Sequence, residues 1–197
     1  GHAAVKIDLR SLSASGFRLE LSNDDTPPDV VDIAALRGLR GSYAQDPRRI
    51  RVEGASAEEL DLAELVWHLS SGRVVSPGRI ELREAAIDLD IPRAEAKKTR
   101  RTSGKIAASH AHLFDVGLDF GSFKLAAETE ATVLEVELPQ RREPTTVKAS
   151  ELVAKRCTLR AGTVSGTWMT LTATSLEASL GDHATVAKAL RLVIDGI

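Results

Sequence analysis

Hydrophobic and polar positions alternate along this chain in long runs. The clearest lies between Arg79 and Pro92. Ile80 and Leu82 alternate with Glu81 and Arg83, and Ile87, Leu89 and Ile91 alternate with Asp88 and Asp90. A period of two predicts a β-strand with one apolar face. The phase slips once, at Ala85-Ala86, where a bulge is expected to re-aim the face. The same grammar returns at Ala131 to Pro139, where Leu134, Val136 and Leu138 alternate with Glu135 and Glu137. Val5, Ile7 and Leu9, then Phe17, Leu19 and Leu21, form earlier runs. Phe114, Val116, Leu118 and Phe120 form a later one that shifts phase past Gly121 to Phe123 and Leu125.

Two stretches read either way. Asp29 is placed to cap a short helix carrying Val30, Ile33, Ala34 and Leu36, and a strand fits as well. Asn23 to Asp29 has the composition of a turn, and Gly38 and Gly41 are expected to end the element that follows it. Ile50 to Val52 begins a strand that Gly54 breaks. Ser56 and Glu59 then have capping-box spacing, with Leu62, Leu65, Val66 and Leu69 at helical intervals. Against a helix at Glu58 to Leu69 stands a recurrence. Ala55-Ser56, Ala108-Ser109 and Ala149-Ser150 open similar units, and the later two carry Val116, Val153, Thr158 and Val164, which suit strands. The reading leans to strand.

Near the C-terminus, Asp182 caps an expected amphipathic helix with Val186, Leu190, Val193 and Ile194 on one stripe. Residues 1–2 read as a remnant of tag cleavage, 3–181 as a repeated β-strand domain, and 182–197 as the helix. The chain reads as a fragment of a longer protein. The expected fold is mainly β: an elongated, curved antiparallel sheet of long amphipathic strands with a C-terminal helix. One helix is too little to cover a sheet's apolar face, so that face needs a second sheet or an apolar ligand.

Composition narrows the function classes. A net charge of -2 with a pI near 6.3 argues against a nucleic-acid partner. The apolar share is 43% but aromatics are 4%, so the apolar face is aliphatic. The single cysteine, Cys157, leaves no internal disulfide. No apolar run reaches the roughly 20 residues of a membrane-spanning helix.

Chemistry is sparse. His110 and His112 would share one face of a strand and offer two metal ligands. The sequence places no third beside them, so they read as surface histidines. Cys157 beside Lys155 and Arg156 reads as a structural thiol. Arg93, Lys97, Lys98, Arg100, Arg101 and Lys105 read as a solvated loop, and Trp67 and Trp168 as packed anchors. No nucleophile elbow, P-loop or dinucleotide fingerprint is present. The expectation is a protein without catalytic residues, metal or cofactor.

Some segments look like a known group. Ile50-Arg51-Val52-Glu53-Gly54, Ala85-Ala86-Ile87-Asp88-Leu89-Asp90-Ile91-Pro92 and Leu171 to Leu180 resemble the AsmA/TamB-like bacterial envelope proteins. That resemblance implies amphipathic strands stacked into an elongated groove, a periplasmic place in the cell envelope, and a role in lipid transport or outer-membrane assembly. Long strands with a helix are also similar to tubular lipid-binding modules related to bactericidal permeability-increasing proteins. The expected function is a non-catalytic lipid-binding or lipid-transfer module. Its acyl-chain face is expected to hold Ile87, Leu89, Ile91, Phe120, Leu134, Val136 and Leu138, with envelope proteins as further partners. The alternative is a structural β-sandwich spacer, or a protein-interaction module with no small ligand.

Overall fold

The alternating runs form strands far longer than the usual five or six residues. The computed structural model describes residues 5–23, 26–46, 49–68, 72–76, 78–92, 102–121, 123–139, 143–181 and 184–196. These form eleven strands: β1 (Val5–Asn23), β2 (Thr26–Gln45), β3 (Arg49–His68), β4 (Arg73–Ser76), β5 (Ile80–Pro92), β6 (Ser103–Phe120), β7 (Phe123–Leu138), β8 (Thr145–Ala161), β9 (Val164–Leu180), β10 (Thr185–Lys188) and β11 (Arg191–Asp195). All belong to one antiparallel sheet, connected as a meander. β4 and β5 both pair with β3 and β6, and β10 and β11 both pair with β9. Each couple acts as one interrupted strand.

The Glu58 to Leu69 stretch falls mostly in β3, and Val30 to Leu39 in β2. Gly38, Gly41 and Gly54 lie inside strands rather than ending them. Gly54 has φ +56 and marks the register shift between β3 and β5, so it bulges the strand without stopping it. Gly121, read as a phase slip, is the β6–β7 turn. Of the expected turn, Asn23 falls in β1 and Thr26 to Asp29 in β2, and residues 24–25 lie outside the described residues. Residues 1–2, the stretch 93–101 and Asp182 lie outside the described residues.

The C-terminal helix is corrected. Residues 185–188 and 191–195 are strands β10 and β11, paired antiparallel with β9. Leu190, Leu192 and Ile194 carry a period of two as well as the helical stripe. Thr185, Val186, Val193 and Ile194 are β-branched. The edge of β9 supplies backbone partners, and the Leu190 amide donates to the Thr174 carbonyl at 2.9 Å. That edge decides between the two periods.

The position of the phase slip is also corrected. Ala85 is 1% exposed, whereas Arg83 and Glu84 turn outward between the inward Leu82 and Ala85. The polar pair, not the double alanine, marks the slip. Other strands do the same at the same level. Two consecutive outward residues stand between two inward ones at Leu36/Leu39, Ala57/Leu60, Ala108/Ala111, Ala131/Leu134, Ala149/Leu152 and Ala173/Leu176. The registers carry this line across the sheet, from Ser13 on β1 through Gly38, Glu58, Glu84, Ser109, Val133 and Ser150 to Ser175 on β9. On alternate strands the backbone there is left-handed: Gly38 (φ +65), Glu84 (φ +49), Val133 (φ +50) and Ser175 (φ +52). We call this line the crease. From β3 to β9 each strand that the crease crosses places at least one alanine on its inner side, paired across the slip with a leucine on every such strand but β6.

The strands bend back on themselves. Phe120 is at the β6–β7 turn and Leu138 at the far end of β7. Straight, the fifteen steps of β7 would span roughly 50 Å. Phe120 and Leu138 nevertheless share one buried cluster with Leu89, Ala178 and Leu180. The sheet therefore has two arms whose apolar faces meet. A second cluster, including Leu60, Leu82, Ala85, Ala111 and Ala131, fills the inside of the crease.

Val133 is β-branched, 61% exposed and left-handed, a conformation such residues rarely adopt. Val133→Gly is expected to raise the free energy of unfolding by about 1 kcal/mol, the relieved strain exceeding glycine's entropic penalty. Urea midpoints check this. A midpoint lower than wild type would refute strain at the crease.

Candidate functional site

The strongest surface feature built by this alternation is the inner face of the bent sheet. Apolar rows cross it from strand to strand. One row runs Tyr43, Val52, Leu89, Gly104, Leu138, and on β8 and β9 Thr145 and Leu180. Gly104 (φ +135) keeps that row flat, because a Cβ there would lie 2.0 Å from the Asp88 carbonyl oxygen.

All seven residues named for acyl contact face inward. Leu89, Phe120 and Leu138 are buried together in one cluster, and Ile87, Ile91 and Val136 pack against it. Leu134 packs with the crease cluster instead. The structure adds Trp67, Val74, Leu118 and Phe123 on the facing arm, which pack against the same cluster. Sequence reading missed these partners because only the bend brings them to Leu89. Two polar atoms on the inner face, Trp67 Nε1 and Thr129 Oγ1, are buried without a hydrogen-bond partner among the described residues.

Cys157 is inward and fully buried, and burial pushes its thiol pKa up. Lys155 and Arg156 point to the other face, so they do not activate it. Trp168 packs beside Cys157 as an anchor.

The outer face is polar and charge-paired. Asp61, 3% exposed, receives Arg79 Nη2 and Arg83 Nη1, each at 2.7 Å. Burial alone would raise the Asp61 carboxyl. The two guanidinium hydrogen bonds outweigh it and hold the pKa below the usual aspartate range.

His110 is exposed, but His112 is half-buried and acquires the neighbours the sequence did not show. Its Nε2 lies 3.1 Å from Glu128 and 3.9 Å from Glu130, and its ring stacks on Phe114 at 3.9 Å. Cross-strand register places them, since His112 stands opposite Glu130. Their ligand atoms lie within 4.8 Å of one another, close enough to share a cation. Lys155 already contacts Glu130 at 2.7 Å and Arg156 contacts Glu128 at 2.8 Å. Glu128 is held below its ordinary pKa by His112, with Arg156 adding to it, and Glu130 by Lys155. The cluster is thus neutralised by protein cations, and its chemistry is that of an ion-pair network.

A depression of about 1100 Å³ lies where the strands β3, β5, β6, β7 and β8 approach one end of an arm. Val52, Leu89 and Leu138 of the inner face line it together with Arg51, Glu53, Asp88, Asp90, Lys105 and Glu137, so its lining is mixed, with an acidic excess among the charged residues. Among the described residues no helix is long and apolar enough to cross a membrane.

The chain matches no protein-family model, no curated protein and no solved structure. The likeness to AsmA/TamB-like proteins therefore rests on the strand patterns alone.

Proposed function

We propose that this protein is a non-catalytic module that holds lipid acyl chains between the two arms of its bent sheet, in a bacterial cell envelope. The supporting observation is the continuity of the inner face. Its aliphatic rows cross the sheet and reach exposed apolar side chains at both margins: Val5, Ile7, Leu12 and Leu19 on one side, Leu192 and Ile194 on the other. A chain lying across the strands would find methyl and methylene contacts along its whole path. Each buried methylene contributes about 0.8 kcal/mol, so roughly ten carbons gain on the order of 8 kcal/mol before ordering costs. The unpartnered Trp67 Nε1 and Thr129 Oγ1 offer polar handles for a carbonyl or ester oxygen. The elongated groove and the periplasmic setting follow from the family resemblance and belong to this same reading.

One observation favours a second reading. Phe120 is 1% exposed and Leu89 is 9% exposed, so one end of the inner face is filled by protein. That is the mark of a structural spacer or protein-interaction module with no small ligand. Under the lipid reading, the arms separate on loading.

The test compares two valine substitutions on β7. Val136 faces inward and Val133, three residues earlier, faces out. Val136→Asp is expected to weaken saturable binding of a fluorescent fatty acid by tenfold or more (about 1.4 kcal/mol), because its carboxylate would be desolvated. Val133→Asp leaves binding unchanged. Organic extracts of the purified protein, read by mass spectrometry, report any lipid carried through purification. Folded protein with no extracted lipid and no saturable binding leaves the spacer reading standing.

A further inference from the structure

We propose that β1 pairs with β1 of a second copy of this chain, antiparallel and centred on Ser13, joining two molecules into one continuous sheet. The proposal does not depend on the lipid reading.

Among the described residues, β1 pairs along one edge only, with β2. It is 19 residues long without a break, though bulged on either side of Leu12, with Val5 48%, Ile7 46%, Leu12 39% and Leu19 45% exposed. The opposite margin differs, since β10 and β11 have four and five residues with a break between them. Sheets protect their edges with short, interrupted strands. β10 and β11 have that protection and β1 lacks it.

The sequence of β1 reads alike in both directions from Ser13. In an antiparallel pair centred there, Ile7 of one copy stands opposite Leu19 of the other, Leu9 opposite Phe17, Ser11 opposite Ser15 and Leu12 opposite Ala14. Lys6 meets Glu20 and Asp8 meets Arg18. The phase slips are symmetric too. The inward residues Leu9, Leu12, Ala14 and Phe17 map onto one another about Ser13, so the apolar face stays on one side of the joined sheet.

Charge selects this register. Moving it by two residues sets Lys6 against Arg18 in one direction. In the other it sets Asp8 against Glu20 and Arg10 against Arg18. Parallel pairing in register sets each charge against itself. A shift of one residue turns the apolar face outward.

The crease gives an independent argument. It reaches β1 at Ser13, where the Gly38 amide donates to the Ser13 hydroxyl. A two-fold axis midway between the two Ser13 residues, perpendicular to the sheet, maps the crease onto itself. Both arms then continue into the second copy, forming an isologous contact.

The experiment is sedimentation velocity on the full chain over a concentration series, with circular dichroism confirming the fold of each variant. The wild type is expected to form dimers. Lys6→Glu and Glu20→Lys each create two like-charge pairs by symmetry and are expected to raise the dissociation constant about tenfold or more. The double variant Lys6→Glu/Glu20→Lys restores dimerisation, and so does an equimolar mixture of the two single variants. Leu190→Arg, on the opposite margin, leaves association unchanged. The proposal is overturned by a wild type that stays monomeric, by single variants that associate normally, by a folded double variant that stays monomeric, or by a Leu190→Arg variant that dissociates.

Discussion

Phe120→Ala is expected to lower the free energy of unfolding by about 3–5 kcal/mol. Phe120 is among the largest fully buried side chains, 1% exposed, and it fills the space where one arm meets Leu89 and Leu138 of the other. Removing the ring leaves a cavity between the arms, at the centre of a cluster that also holds Trp67, Leu118 and Phe123. The right comparison is Phe114→Ala. Phe114 is 39% exposed on the outer face and stacks on His112, so its loss should cost about 1 kcal/mol or less. Urea unfolding of both variants measures the difference. Equal losses would mean that contact between the arms contributes little. Far-ultraviolet circular dichroism in native buffer should be unchanged in both, because the substitutions leave the hydrogen-bond ladders alone.

The second large effect is expected on the outer face. A buried carboxylate that loses its partners, or the reverse, typically costs about 3–5 kcal/mol. Arg79 and Arg83 have side chains 55% and 35% exposed, so water recovers part of that loss. Asp61→Ala is therefore expected to destabilise by about 2 kcal/mol, with a pH signature. The Asp61 carboxyl is held below its ordinary value of 3.8 in the folded protein. A depressed pKa contributes stability above the unfolded value, and that contribution is lost as pH falls from there through the folded value. The gap between wild type and Asp61→Ala should be constant near neutrality and shrink as pH drops through about 4 and below. Glu128, Glu130, Glu135 and Asp119 are also held low, so both proteins lose some stability in acid. A gap that widened in acid would contradict the ion-pair assignment.

The face of each strand was legible where alternation was long. Ile87, Leu89 and Ile91, and Leu134, Val136 and Leu138, point inward as their period required. Glycine was misread. Gly38, Gly41 and Gly54 resemble stops, yet a sheet of long strands uses them for bends and bulges, and a single sequence does not separate the two uses. The crease was half-visible. The recurring Ala-Ser pairs at 108–109 and 149–150 lie on it, and Arg83-Glu84 shows it as two adjacent polar residues between apolar ones. Its left-handed positions at Glu84, Val133 and Ser175 carry no sequence mark, since none is glycine. The C-terminal error had a different source. Val186, Leu190, Val193 and Ile194 satisfy a helical stripe, and only the presence of β9's edge settles the conformation. The His112, Glu128 and Glu130 cluster and the burial of Phe120 and Leu138 in one cluster depend on register and bend, which lie beyond local pattern.

The crease has a mechanical consequence. Hydrogen bonds between antiparallel strands run perpendicular to the strands, and the crease also runs across them. Rotation about the crease therefore swings one arm away from the other while every ladder bond stays in place. The opposition comes from side-chain contacts between the arms and from a few backbone torsions such as those of Glu84, Val133 and Ser175. The sheet is stiff along the crease and compliant about it, like a folded card. Amide exchange, which reports broken hydrogen bonds, would register little of such an opening, whereas a pair of probes on Phe120 and Leu138 would report it directly.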